Sequence, residues 1–181
     1  MASRDNQTID RRTLKPSAEH RGAPDLALWA NPTAWVFLAF LVLMAISLSY
    51  LWGFVAAPIA ILAGTVGRYL GFTVLHEASH RTAHRNQGIN DAIGWLPGLA
   101  LTLTMPVFRS CHTKHHAYTN QVGIDPDDDV GRNPRWLRPL WLISPLWTYR
   151  GRYYVKRWDK QPADRYIQIG VDALIVASIV A

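Results

Sequence analysis

AWVFLAFLVLMAISLSYLWGFVAAPIAILAGTVG, residues 34–67, holds no charged side chain, and the uncharged run around it extends over 42 residues, from Leu26 to Gly67. A helix needs only about 20 apolar residues to cross the hydrocarbon core of a bilayer. Two crossings fit, Ala34 to Trp52 and Phe54 to about Leu75, with Gly53 and Pro58 marking a nearly loop-free reversal between them. The expected fold is therefore an all-α integral membrane protein. A transmembrane helical hairpin is followed by cytoplasmic or interfacial helices.

The rest of the chain is read outward from that hairpin. Residues 1–30 mix Arg, Asp, Lys and Pro without apolar periodicity and read as a mobile tail; residues 31–181 read as one partial membrane domain. No short basic start leads straight into an apolar stretch, so a cleaved signal peptide is not expected. Five basic residues precede residue 30, thirteen lie between Arg81 and Arg165, and Arg68 alone falls between the groups. Lys and Arg are retained on the cytoplasmic side. The N-terminus and everything after the hairpin should then face the cytoplasm, in a multi-pass protein. The net charge of +6 suits either nucleic acid or an anionic membrane face, and the apolar run decides for the membrane, with no nucleic-acid partner. One cysteine, Cys111, excludes an internal disulfide and any Cys-rich zinc module, and it reads as a small filler beside His112.

Ala92 to Phe108 is again uncharged, but its 17 residues sit at the lower limit of about 17 for a crossing. Gly94, Pro97, Gly98 and Pro106 are expected to break it, which makes a re-entrant or in-plane segment over 92–108. Residues 133–158 interleave Arg and Lys with Trp and Tyr, the mixture of a segment at headgroup level. From 166 to 181 the chain turns apolar once more, with Asp172 in the middle, and reads as the start of a further span.

Six of the seven histidines fall within 41 residues. His76 and His80, four apart, share a helix face, and His84 drifts a further 40° or so round, so one helix is expected to present two or three imidazoles. In CHTKHHAYTN, residues 111–120, His112, His115 and His116 share a face if that segment is helical. Neutral imidazole binds iron, zinc and copper, and five or more rings exceed what one tetrahedral zinc uses. Two metals are implied. Both groups can serve one centre only from the same side of the membrane, because a true crossing at 92–108 would part His112 from His76 by roughly 30 Å.

His76-Glu77-Ala78-Ser79-His80 also fits the H-E-x-x-H pattern of zinc peptidases, in which Glu77 would be the general base. The third ligand is lacking: the extended pattern wants Gly at 83 and His at 86, where this chain has Ala83 and Asn86, and Glu77 is the last Glu. The competing pattern, H-x3-H at the end of a span followed by H-x2-H-H, resembles the membrane fatty acid desaturase and hydroxylase superfamily. HEASHRTAHRNQGINDAIGWL (76–96), PVFRSCHTKHHAYTN (106–120) and the acidic loop DPDDD (125–129) look especially like the bacterial desaturase-like branch that includes carotenoid ring hydroxylases.

That resemblance implies a centre of two iron ions on the cytoplasmic face, in a bacterial inner membrane, activating oxygen to remove hydrogen from a lipid C–H bond. His76, His80, His112, His115 and His116 carry over as iron ligands, and His84 as a ligand or a supporting group. Glu77, Arg68 and Asn120 fall to supporting or structural roles. The expected reaction is desaturation of an acyl chain, with hydroxylation of a carotenoid ring or another lipid as the alternative and a zinc peptidase as the remote one. Electrons should come from a ferredoxin-like donor. The family's third histidine box has no counterpart after His116, so the 181 residues are expected to be a truncated form, inactive alone. Arg68, a charge within the second span, reads by default as functional, and an equally simple reading pairs it with Asp172; the DPDDD loop could bind a hard cation but is expected to serve solvation or local salt bridges.

Overall fold

The computed structural model describes residues 28–128, 134, 136, 145–156 and 162–180. The expected tail up to residue 27, and most of the expected interfacial segment before 145, lie outside the described residues. Within them the protein is all-α. Among the described residues, six α-helices lie in chain order: α1 (Pro32–Leu48), continued by a 3-10 turn over Ser49–Trp52, α2 (Ala57–Ser79), α3 (Gln87–Ala100), α4 (Met105–Tyr118), α5 (Pro145–Lys156) and α6 (Pro162–Val180). Pro32–Trp52 and Ala57–Ser79 are long and apolar enough to cross a membrane.

Those two form the expected hairpin. Asn31 caps α1, its Oδ1 accepting the Thr33 N–H at 2.9 Å, and its Nδ2 donates at 2.8 Å to the Ala83 carbonyl just beyond α2. The start of α1 is thereby fastened beside the end of α2. At the far end Gly53 takes a left-handed φ of 74° and turns the chain. Small residues of α2, among them Ala60, Ala63, Gly64, Gly67 and Gly71, are buried, and a Cβ on Gly71 would stand 2.9 Å from the Phe40 ring of α1. Helices in lipid associate through such small-residue contacts. Other faces of α2 expose Ile59, Ile61, Leu62 and Tyr69, side chains suited to acyl chains. From Ala57 to His76 the helix rises about 28 Å, close to the roughly 30 Å of a hydrocarbon core. That length is enough to carry the chain from one face of a bilayer to the other by the histidine end of α2.

The 92–108 segment does not run straight: α3 and α4 meet at 97°. The break lies elsewhere than expected, however. Helix α3 continues through Gly94, Pro97 and Gly98 and stops only at Ala100. Gly94 and Gly98 instead permit close packing, since a Cβ would come 2.8 Å from the Ala78 Cβ in one case and 2.8 Å from the Leu103 carbonyl oxygen in the other. The turn itself is made by Thr102 at φ 61°, and Pro106 begins α4. Leu75, Ala78, Leu103, Met105, Phe108 and Tyr153 form the buried core around it.

A bend exposes backbone polar groups, which lipid cannot satisfy. Here α6 supplies partners: Gln168 accepts the Thr104 N–H at 2.8 Å and donates to the Thr102 carbonyl at 3.3 Å and to Asp172 at 2.8 Å. Arg150 of α5 donates to Asp172 at 2.9 Å and to the Thr102 hydroxyl at 2.8 Å. The expected Arg68–Asp172 pair is therefore not formed. Asp172 lies one helical turn beyond Gln168, over the bend and within reach of Arg150, while the exposed Arg68 donates to Gly64 O of its own helix at 3.3 Å.

Candidate metal centre

His76 lies in the last turn of α2 and His80 caps it, with ring centroids 4.7 Å apart. The helix ends there because Arg81 takes φ 64°, the left-handed geometry that closes helices and that glycine usually supplies. His84 consequently sits in a loop and not further along the helix, as its spacing had led us to expect. Its Nδ1 accepts the Asn86 N–H at 2.9 Å, and Asn86 in turn caps α3.

The second group does lie on a helix, α4. At about 100° per residue, His115 is turned roughly 60° to one side of His112 and His116 roughly 40° to the other. His116 leans toward α2. Its Nε2 is 3.0 Å from His112 Nε2, which is 2.9 Å from His80 Nε2, and the His112 ring is centred 4.5 Å from that of His76. One ligand atom from each of His76, His80, His112 and His116 falls within a 4.8 Å span. His115 leans the other way, with Nδ1 2.9 Å from Asp125 Oδ1 and 3.4 Å from Asp127 Oδ2. The five histidines singled out in the sequence are thus brought together as four plus a neighbour, and His84 is outside.

Ring nitrogens must be unprotonated to bind a metal. Burial, joined by the neighbouring His76, His116 and His80 rings, takes the His112 pKa down to about 3, and burial with His115 and His76 lowers that of His116. Two neighbouring imidazoles that resist protonation, His112 and His116, fit a site for a transition-metal ion. Glu77 stands beside this group, its Oε1 3.3 Å from His76 Nδ1 and its Oε2 accepting the Thr82 hydroxyl at 2.8 Å.

The frame that holds the two helices together was not visible in the sequence. The Ala78 carbonyl, between His76 and His80, accepts from Asn90 of α3 at 2.9 Å and from Arg109 of α4 at 3.0 Å. Asp91 pairs with the same guanidinium, and Asn90, fully buried, also accepts the Ala83 N–H at 3.2 Å. A buried asparagine beside an acid that precedes a complementary arginine by 18 positions carries no spacing signature. The acidic loop is a local clasp. Asp125, 1% exposed, accepts the backbone N–H groups of Asn120 and Asp127 at 2.7 and 2.8 Å, Asp127 accepts the Tyr149 hydroxyl at 3.0 Å, and Asp128 pairs with Arg152. Burial alone would raise the Asp125 pKa, but these N–H donors and His115 outweigh it and lower it. Asn120 leaves α4 at φ 62°, a backbone role. Cys111 is buried, donates weakly to Tyr149 O at 3.6 Å, and has its thiol pKa raised, chiefly by burial.

The fatty acid desaturase family matches residues 52–181. An sn-1 oleoyl-lipid 12-desaturase of Arthrospira platensis is 33% identical over 54 residues, which are 30% of this chain and 15% of that protein. A protein of the same name from a Picosynechococcus species is 35% identical over 69 residues, 38% of this chain and 19% of that one. The matched segments thus span less than a fifth of either relative. No solved structure matches the chain significantly. With a match over most of its length, two apolar helices of membrane-spanning size and a histidine cluster able to hold metal, the chain belongs to the membrane fatty acid desaturase family.

Proposed function

We propose that this protein provides the metal-binding part of an oxidoreductase that desaturates a lipid acyl chain, using oxygen and electrons from a ferredoxin-like donor. His76, His80, His112, His115 and His116 hold two iron ions in this reading. The observation that carries it is the convergence of His76, His80, His112 and His116 within 4.8 Å, from two helices, at the end of an apolar hairpin. The iron supplies oxygen activation when bound. The residues around it keep His112 and His116 neutral, fix the orientation of the cluster through Glu77, Asn90 and Arg109, and place it about one hydrocarbon thickness along α2, where an acyl chain can bend toward the surface. Glu77, engaged by His76 and Thr82, supports a ring and is not a general base for water.

The basic residues after α2 give the donor-docking and cytoplasmic face, in a bacterial inner membrane. With only five imidazoles assigned to two iron ions, purified 181-residue chain supplied with donor and oxygen is expected to turn over no lipid. The reaction is tested by the acyl-lipid profile of host cells expressing the gene as it stands in its genome, beside a His80→Ala form. A new double bond that disappears in the variant supports the reading. A new hydroxyl group would make the enzyme a hydroxylase, and an unchanged profile from iron-loaded protein would leave only a metal-binding membrane protein.

A further inference from the structure

We propose that Asp125 positions His115 for metal binding, holding the proton on Nδ1 so that Nε2 is presented free to the metal. The inference rests on the reading of His115 as a ligand and adds the residue that prepares it. Both Asp125 oxygens already accept backbone N–H groups, so at the 2.9 Å contact Oδ1 serves as the acceptor and His115 Nδ1 as the nitrogen that carries the proton. The other ring nitrogen is then the one with a lone pair. Histidine ligands commonly have their second nitrogen fixed by a carboxylate in this way, and the partner's loss costs about 10–100-fold in metal affinity.

The geometry makes Asp125 more than a neighbour. It is almost completely buried, and its orientation is set by the N–H groups of Asn120 and Asp127, which are not themselves metal ligands. The carboxylate is therefore a fixed point against which His115 is aligned. Among the five histidines, His115 most needs such help, because it turns away from the four that contact one another. His76 has a counterpart in Glu77, at the longer distance of 3.3 Å, so the histidines on both helices are backed by an acid from the chain just beyond the ring.

Because Asp125 also closes a turn, the test must separate alignment of His115 from folding. Cobalt(II) is titrated into the metal-free 181-residue chain in detergent, and its ligand-field absorption is followed for wild type, Asp125→Asn, His115→Ala and the double variant. Expected is a weakening of one cobalt-binding step by about 10–100-fold in Asp125→Asn, loss of that step in His115→Ala, and no further effect of Asp125→Asn once His115 is gone. Asp125→Ser, whose hydroxyl still reaches the Asp127 N–H, replaces Asp125→Asn should that variant fail to fold, with the same expectation. If His115→Ala weakens cobalt binding and neither Asp125 variant does, the positioning role is wrong while His115 remains a ligand. If His115→Ala changes nothing, the ligand reading itself fails. Equal weakening by Asp127→Asn would make the carboxylates direct ligands and overturn the proposal.

Discussion

His80 Nε2 and His112 Nε2 lie 2.9 Å apart across 32 residues of sequence, one at the end of α2 and the other in the middle of α4. At that distance one ring can donate an N–H to the other, and both nitrogens are placed where they would hold a metal ion in place of the proton. The two side chains belong to one site and not to two. His112→Ala should therefore weaken binding of iron or cobalt by more than the roughly 10–100-fold that follows from losing a supporting group. His84→Ala, outside the cluster, should leave affinity unchanged within error. Isothermal titration of the two variants decides, and an equal loss in both would return His84 to the centre.

The packing of the hairpin against the bend depends on two glycines with different neighbours. An added methyl at Gly71 meets the edge of the Phe40 ring, a side chain able to shift, whereas at Gly98 it meets the Leu103 carbonyl oxygen, part of the backbone. Overpacking costs about 1–3 kcal/mol where the surroundings cannot relax. Gly98→Ala should lie in that range and Gly71→Ala below it. Thermal unfolding in one detergent gives the order, and a larger loss at Gly71 would contradict it.

Gln168 is expected to act as a buried plug for the α3–α4 break. Replacing it with leucine leaves the Thr104 N–H and the Thr102 carbonyl without their side-chain partners, and a buried unsatisfied group costs about 1–3 kcal/mol. Gln168→Leu should lower the melting temperature and speed hydrogen exchange at Thr104. Unchanged exchange there would show that another group satisfies the bend.

The hairpin was legible because a run without charge has few alternatives, and the two histidine groups because helical spacing places their members on one face. What followed α2 was not legible. Its end depends on Arg81 adopting a left-handed conformation without the glycine that usually signals one, and this moved His84 off the helix. Helix α3 passes through Pro97, where the sequence suggested a break, because packing of its two close-approach glycines holds it together. The partner of Asp172 was misread for a related reason: composition shows that a charge among apolar residues needs a partner, but only the fold shows that Arg150 is nearer than Arg68. The contact between His115 and Asp125 joins a helix to its following loop over ten positions, a separation with no fixed geometry.

The Asp91–Arg109 pair gives a pH-dependent test of the frame around the metal centre. Burial works to raise the Asp91 pKa, but the hydrogen bond and charge of Arg109, with help from Asn90, outweigh it and hold the carboxyl below its ordinary value of about 4. A carboxyl depressed in the folded state contributes stability that is complete above its unfolded pKa and is lost as pH falls through the folded one. Asp91→Asn keeps the shape and removes the charge. The wild type should therefore melt a few degrees above the variant from neutral pH to about 5, with the gap closing below about 4 as Asp91 takes up its proton. Every other titratable group is common to both proteins and cancels in the difference, so a gap that persists unchanged into acid would mean that Arg109 is held by the Ala78 carbonyl alone and that the Asp91 charge contributes nothing.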